Sequence, residues 1–565
     1  MNDGFSEIDD ANFFLSKDGK KNAKKELDAT ITALLNETKF DDNSTACRFP
    51  ARKAWLKDRL DIKKFPEVSC DEYDSILKRL NPKSATLVFP SAHINSPASM
   101  FGHTFLRINS GYKSKLLSYA INYAADANPD TENGVLFAIK GLFGGYYGRY
   151  SLLPYYDKLK EYRDTEQRDI WEYDLNLNEE EVLRMVRHIW ELNGTHSDYY
   201  FFTENCSYNM LWLIEVARPS VNLRKHFAYQ VIPLETAHAV LKENLINGSN
   251  YRASKRALLL KYESIIKEDY VKLPRKLIEG KITLEEIVES SEIEAQQKMY
   301  ILEASIEFLE YSFSKNDMDK DEYLEIFHNI TKARASFGKG EKLDIKTPPN
   351  PIDSHRALRA TTSLGLRDNK SIGFLGIRTA YHSLEDSSYG FLRGTEIEFL
   401  DLLLSYSDNK AKLENATIIS IASIAQRSEF FDSFSWRTKI GWDSNYIDDK
   451  SNFFLTLGAG LSWGNDFAYT YIMIDPLYYY EKKSIFGVGS SIGLVIDKYK
   501  YLNTNFEFTQ RLYDNSDTQI LIKASQSFRV SQNVQLQLSY DYKERYLHKK
   551  KENEQTYKAS VNYYF

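Results

Sequence analysis

At 565 residues the chain is too long for one ordinary hydrophobic core, so two or three domains are expected. The formal charge of −6, without a polybasic run, excludes the electrostatic footprint of a nucleic-acid-binding protein. Aromatic residues make up 14% of the chain, dominated by 39 Tyr and 32 Phe and concentrated toward the C-terminus, which suggests a membrane interface. No run approaches the ~20 apolar residues of a spanning helix, so any membrane span must be built from strands.

In chain order, Met1-Asn2-Asp3-Gly4 is polar and acidic, unlike a signal peptide, and the sequence reads as a mature protein whose export signal has been removed. Residues 12 to 80 read as short helices. Ala23 to Leu35 carries apolar residues at helical spacing, and Trp55, Leu56 and Leu60 repeat the pattern. Cys47 and Cys70 lie in a segment rich in charges and prolines, consistent with a disulfide in an oxidising compartment, and Cys206 is left over.

From residue 85 the pattern changes. Ala85 to Pro90 is strand-like and Ser96 to Gly102 is a turn-rich loop. His103 to Ile108 alternates as a strand with His103 at its mouth, and a further strand from Leu116 to Tyr123 carries Asn122 in an otherwise apolar run. The glycine-rich piece Lys140 to Gly148 lacks the Gly-Lys-Ser/Thr ending of a phosphate loop, and a mobile aromatic loop beside a site is expected there. Asp169 to Leu175 alternates as a strand. Asn178 and Glu181 form a capping box for a helix whose Val182, Met185, Val186, Ile189 and Trp190 share a face.

The stretch Thr203-Glu204-Asn205-Cys206-Ser207-Tyr208 places a cysteine where an apolar helix begins, with Thr203 or Asn205 as its cap and Pro219 as its stop. A thiol in a first helical turn sits among unpaired N–H groups at the positive end of the helix dipole, which favours thiolate and makes Cys206 a candidate nucleophile. A small buried hydrophobe is the alternative.

Four separated motifs, Phe89-Pro90-Ser91, Asn95 to Arg107, Gly141-Leu142-Phe143-Gly144-Gly145 and Tyr199 to Tyr208, together resemble the N-terminal periplasmic domain of the Lnb lipoprotein N-acyltransferases. The resemblance covers roughly Phe13 to Pro233. It implies an α+β domain of circularly permuted papain-like fold, a class that includes NlpC-type enzymes and in which the base histidine precedes the nucleophilic cysteine. His103 and Cys206 stand in that order. The expected catalytic set is Cys206 as nucleophile, His103 as base and Asn122 as the group orienting the imidazole. Ser99, Tyr123, Glu204 and Tyr208 are candidates for substrate contact, and Glu204, Ser99 and Tyr123 also compete with Asn122 for the orienting place. A zinc site from His93, His103 and Cys206 is conceivable, but ligand pairs normally come at close spacing and these do not, and no metal or other cofactor is expected.

Residues 252 to 337 read as helical and highly charged, with Thr283 and Glu286 as a capping box and one long helix from Glu292 to Phe313. Asp317 to Asp321 imitates a calcium loop but has Glu322 where glycine is required and His328 where glutamate is required. Gly338 to Pro351 reads as a linker. Beyond Ser354 the period is two: Val534, Leu536, Leu538, Tyr540 and Tyr542 alternate with polar residues, and Tyr557, Ala559, Val561, Tyr563 and Phe565 do so on the last strand. Twelve runs, starting near His355, Ser371, Leu392, Ala411, Phe434, Phe453, Asp466, Ile485, Tyr501, Thr518, Asn533 and Thr556, predict a transmembrane antiparallel β-barrel of about twelve strands; a soluble β-sandwich is the alternative.

The expected organisation is a helical brace over 1–84, a catalytic domain over 85–240, a helical segment over 241–337, a linker over 338–354 and an outer-membrane barrel over 355–565. Expected partners are membrane lipid or lipoprotein, peptidoglycan in one reading, and barrel-assembly machinery acting on the strand that ends in Phe565. Three functions are open: acyl transfer through a Cys206 thioester to an amine, NlpC-like cleavage of peptidoglycan peptides, and envelope binding without catalysis.

Overall fold

The computed structural model describes residues 4–60, 65–92, 102–112, 114–127, 134–315, 318–446, 450–480, 482–547 and 550–565. Ser99 and His93 lie outside the described residues. The chain divides into two compact units, residues 1–91 with 102–252, and 92–101 with 253–565.

The first unit is built on a seven-stranded antiparallel sheet of order β6-β4-β3-β2-β1-β5-β7. Its strands are β1 (Pro82–Pro90), β2 (Phe105–Ser110), β3 (Tyr119–Ala125), β4 (Tyr146–Pro154), β5 (Ile170–Leu175), β6 (Ser197–Tyr199) and β7 (Ile246–Arg252). Around it lie α1 (Ala23–Leu35), α2 (Thr45–Arg48), α3 (Pro50–Leu60), α4 (Asp71–Leu80), α5 (Gly134–Phe143), α6 (Tyr155–Leu159), α7 (Glu179–Glu191), α8 (Cys206–Ala217) and α9 (Pro233–Lys242). The continuous apolar run in β1 is explained by burial: every residue from Ala85 to Pro90 is shielded from solvent. α7 begins at the Asn178–Glu181 capping box and turns Val182, Met185, Val186 and Ile189 inward.

The glycine-rich piece departs from the sequence reading. Lys140 to Gly148, expected as a loop, is the end of α5 and the start of β4, joined at Gly144 with φ +84°. The glycines there serve close packing, since a Cβ on Gly141 would lie 2.3 Å from the Phe201 ring and one on Gly144 2.5 Å from Tyr200.

Beneath the sheet a charged group is buried deliberately. Glu172 on β5 accepts hydrogen bonds from Arg107 (2.6 Å), Tyr155 (2.6 Å) and Arg252 (2.5 Å). Burial pushes its carboxyl up, but these partners outweigh it and hold the carboxyl below the usual range. Removing one partner of such a pair typically costs about 3–5 kcal/mol, because the other charge is left buried and unpaired. At the N-terminal side, Leu34, Ala46 and Leu56 form a small core with Ile31, Phe65 and Val68, closed by a disulfide between Cys47 and Cys70 whose Cα atoms are 5.3 Å apart.

The second unit opens with α10 (Lys255–Ile265), α11 (Leu273–Ile278), α12 (Leu284–Val288), α13 (Ala295–Ser314) and α14 (Lys320–Ser336). The Thr283–Glu286 capping box starts α12, and Asp319, within the failed calcium motif, is the N-cap of α14. Leu259, Ile301, Leu302 and Phe308 share a core with Phe430 and Phe431, residues of a barrel loop, so the helices and the barrel are packed as one body.

The barrel comprises β8 (Arg359–Arg367), β9 (Lys370–His382), β10 (Thr395–Ser407), β11 (Lys410–Ser423), β12 (Ser435–Asp443), β13 (Asn452–Gly464), β14 (Ala468–Tyr480), β15 (Ser484–Ile496), β16 (Leu502–Tyr513), β17 (Thr518–Arg529), β18 (Val534–Leu547) and β19 (Lys550–Tyr564). Consecutive strands pair antiparallel and β19 pairs with β8, closing the ring at the expected twelve strands. The hairpins β8–β9 and β10–β11 turn on Asp368-Asn369 and Asp408-Asn409, with positive φ at both residues, the two-residue turn whose twist matches paired strands. Only the last strand starts well ahead of its expected position, at Lys550, because β18 extends to Leu547 and pairs with it there. Side chains alternate: on β15 Phe486, Val488, Ile492 and Leu494 face outward while Ile485, Ser491 and Val495 are buried. No described helix is long and apolar enough to cross a membrane.

Cleaving the Cys47–Cys70 bridge tests the brace. The double variant C47S/C70S is expected to lose about 3 kcal/mol in the unfolding of the first unit, the loop-closure entropy of a cross-link of this length. Urea unfolding followed by tryptophan fluorescence reads that loss as a lowered midpoint.

Candidate functional site

Cys206 is the first residue of α8, and Asn205 is its N-cap. The Asn205 side-chain oxygen accepts from the amides of Ser207 (3.0 Å) and Tyr208 (3.1 Å), and its amide nitrogen donates to the carbonyls of Phe201 (3.0 Å) and Val231 (2.7 Å). One buried side chain therefore caps the helix and ties down the loop before it. The Cys206 amide donates to the Tyr199 hydroxyl at 3.3 Å, and the thiol lies 3.6 Å from the Ser207 hydroxyl.

Two elements bring the imidazole and its partner. His103 immediately precedes β2 and Asn122 lies on the adjacent β3, and the His103 Nε2 to Asn122 Oδ1 distance is 2.9 Å. Engagement of Nε2 by Asn122 leaves Nδ1 as the ring nitrogen for the thiol, and His103 and Cys206 lie close enough to shift each other's ionisation. The His103 ring stacks on Tyr162 at 5.7 Å, and the Arg168 guanidinium covers the same tyrosine at 5.0 Å. Arg168 is itself fixed by the carbonyls of Ser91 and Pro90. Neither Tyr162 nor Arg168 stands out in the sequence, because a stacking contact across elements has no local signature.

The electrostatics favour an ion pair. Burial pushes the Cys206 thiol up, but His103, the Ser207 hydroxyl and the Thr104 amide outweigh it and bring the thiol down to about 7. Burial works against the charged form of His103, but Cys206 and Asn122 overcome it and raise the imidazole above its ordinary value. Each group therefore favours the charged form of the other, thiolate beside imidazolium.

Of the remaining sequence candidates, Glu204, Tyr123 and Tyr208 are among the described residues. Burial raises the Glu204 carboxyl, and Glu7, Asp9 and Asp198 push it further, up to about 7. Tyr123 is buried, its ring 4.7 Å from Tyr150 and 5.8 Å from Tyr199, the residue that holds the Cys206 amide. The Tyr208 hydroxyl donates to Glu7 (2.9 Å) and accepts from Arg224 (3.3 Å).

A buried cysteine at a helix start, facing a histidine backed by an asparagine amide, on a sheet-and-helix unit that precedes a closed barrel, defines a thiol–imidazole domain carried by an outer-membrane protein. Residues 72–243 match the family model described as Lnb N-terminal periplasmic domain, so the chain is an outer-membrane barrel protein whose N-terminal domain is of the Lnb periplasmic type and lies in the periplasm. Three further models, each described as a domain of unknown function, match residues 2–59 (DUF7843), 249–344 (DUF7842) and 348–564 (DUF7840). Comparison with curated proteins returns no match. Solved structures similar to part of the chain include a KdgM porin, at 12% identity over 37% of this chain and 99% of that one with a TM-score of 0.24. A NanC porin is 9% identical over 36% of this chain and 100% of that one, TM-score 0.25. Outer-membrane expressed OmpT of Vibrio cholerae is 8% identical over 37% of this chain and 97% of that one, TM-score 0.20. Likenesses this distant carry no weight beside the strand pairing itself.

Alkylation of native protein by iodoacetamide, followed by mass spectrometry, reads the thiolate directly. Its rate should rise with pH through a midpoint near 7, and His103→Ala should move that midpoint upward toward an unperturbed thiol, about 8.5.

Proposed function

We propose that the first unit is a cysteine acyltransferase that moves a fatty acyl chain from a membrane lipid or lipoprotein to an amine, with Cys206 as nucleophile, His103 as base and Asn122 orienting the imidazole. The observation that carries this reading is the depressed thiol paired with an asparagine-backed histidine. In the first step the Cys206 sulfur attacks the ester carbonyl, the ester C–O bond breaks, and His103 delivers the thiol's proton to the departing alkoxide. In the second, the acceptor amine attacks the thioester, loses its proton to His103, and expels the Cys206 thiolate. Glu204, with its carboxyl raised to about 7, is assigned to the acceptor amine, as a carboxyl near neutrality can both pair with an ammonium and accept its proton. Ser99, Tyr123 and Tyr208 are assigned to shaping the surrounding substrate surface.

Lipid is favoured over peptidoglycan by α5. This helix has one charged residue, Lys140, over the Tyr146 ring, and it exposes Leu136, Ile139, Leu142 and Phe143, the last 79% accessible. The Phe201 amide donates to the Gly141 carbonyl at 2.8 Å, so the apolar face is bonded to the segment that leads into Cys206. A contiguous exposed apolar patch marks a surface that meets another apolar phase. The strand ending in Phe565 is assigned to recognition by barrel-assembly machinery.

Incubation with outer-membrane phospholipid, followed by intact-protein mass spectrometry, should show a fatty-acyl mass adduct that maps to Cys206. Cys206→Ser should abolish the adduct while leaving membrane insertion intact, and His103→Ala should slow its formation by about 10²-fold or more. The pair L142E/F143E should slow it by roughly tenfold without changing the iodoacetamide midpoint. Release of peptides from peptidoglycan with no lipid adduct would establish the hydrolase in its place.

A further inference from the structure

The lumen of the barrel is occupied at both ends by the protein's own loops. The chain enters β8 from the periplasmic segment, so the loops β9–β10, β11–β12, β13–β14, β15–β16 and β17–β18 lie at the periplasmic end, together with the last residues of β19.

At that end residues 383–394 fold inward, organised by Asp386. This carboxylate is fully buried, ion-paired with Arg378 at 2.7 Å and Arg359 at 3.2 Å, and accepts from the Tyr564 hydroxyl at 2.7 Å. The loop backbone is held from the wall: Asn503 on β16 donates to the Leu384 and Asp386 carbonyls, Ser527 on β17 to the Glu385 carbonyl, and Gln535 on β18 bonds both Glu385 and Ser387. These tethers come from the arc running β16 to β19 and on through β8 and β9. From the same loop, Leu384 packs against Ala422, Ile424, Tyr469, Tyr471, Met473 and Val495, which belong to the opposite arc, β11 to β15. A loop fastened to both arcs crosses the lumen.

The other end is treated similarly. In the β12–β13 connection the Tyr446 hydroxyl donates to Asp517 at 2.7 Å and its ring stacks on Tyr479, while the Asn445 carbonyl accepts from Gln519 on β17. Between the two ends a cavity of about 400 Å³ is bridged by ion pairs joining non-adjacent strands, including Arg367 to Glu414 (2.8 Å) and Arg437 to Glu507 (2.6 Å).

His355, His382 and Asp386 present ligand atoms within 4.8 Å of one another, the spacing of a metal site. Two guanidinium groups already neutralise the carboxylate, and they repel a cation. The trio belongs to the packing of the inserted loop, where His355 stacks on Tyr564 at 4.0 Å and His382 on Phe391 at 4.0 Å.

We infer that residues 348–564, which match the model of a domain of unknown function, form a sealed membrane anchor, closed at the periplasmic end by the inserted β9–β10 loop, and do not form a pore. Purified full-length protein in planar lipid bilayers should give no stepwise ion conductance, and replacement of residues 384–391 by a Gly-Ser linker should produce discrete conductance steps. Heat-dependent electrophoretic mobility verifies that each barrel is folded. A second variant, N503A/S527A/Q535A, cuts the wall tethers while leaving Asp386 paired, and should give intermittent openings. Steady conductance by the unaltered protein would overturn the inference, as would silence of both variants in folded form.

Discussion

The candidate site depends on the hydrogen bonds of one side chain, Asn205. Its oxygen satisfies two of the amides left open at the start of α8, and its nitrogen fixes two carbonyls of the loops that converge there. Without that anchoring the Cys206 sulfur would have no defined position against His103, since the chain before it is irregular from Tyr200 to Asn205. The cap places Cys206 in the first turn, where His103, the hydroxyl of Ser207 and the amide of Thr104 favour its anion against the opposing effect of burial.

A different constraint governs the second unit. In lipid every backbone N–H and C=O must find a partner within the protein, so a strand-built span has to close on itself, as it does where β19 meets β8. Closure leaves an interior that the protein fills with buried ion pairs, inserted loops and small apolar clusters such as that around Met473 and Leu384. Pairs such as Arg378 and Asp386, with both side chains inaccessible to solvent, contribute little net stability relative to a well-packed apolar core, but losing one partner would be strongly destabilising. They hold the loops in one arrangement, which is a contribution to uniqueness more than to total stability.

Much of the architecture was legible because it is periodic or chemically punctuated. The period of two beyond Ser354 follows directly from one lipid face and one interior face, and it yields the strand number. The capping boxes at Asn178 and Thr283 mark helix starts through short-range bonds. The glycine-rich piece at Lys140 misleads because glycine there serves contact with Phe201 and Tyr200, residues some sixty positions away in the chain, and not loop flexibility. Tyr162 and Arg168, which back His103, were invisible for the same reason.

By itself, then, the sequence determined what local chemistry and periodicity can encode: a barrel of twelve strands, helices with their caps, and a cysteine in a first turn with a histidine ahead of it in the chain. Only the tertiary structure decided which polar groups meet. The register of β2 against β3 brings Asn122 to His103, and the packing of α8 beside both strands brings Cys206 there as well. The inward turn of residues 383–394 likewise depends on Asp386 finding Arg359 and Arg378 within the closed barrel. Such pairings are set by distances in the folded state between residues far apart in the chain, and no window of sequence contains them.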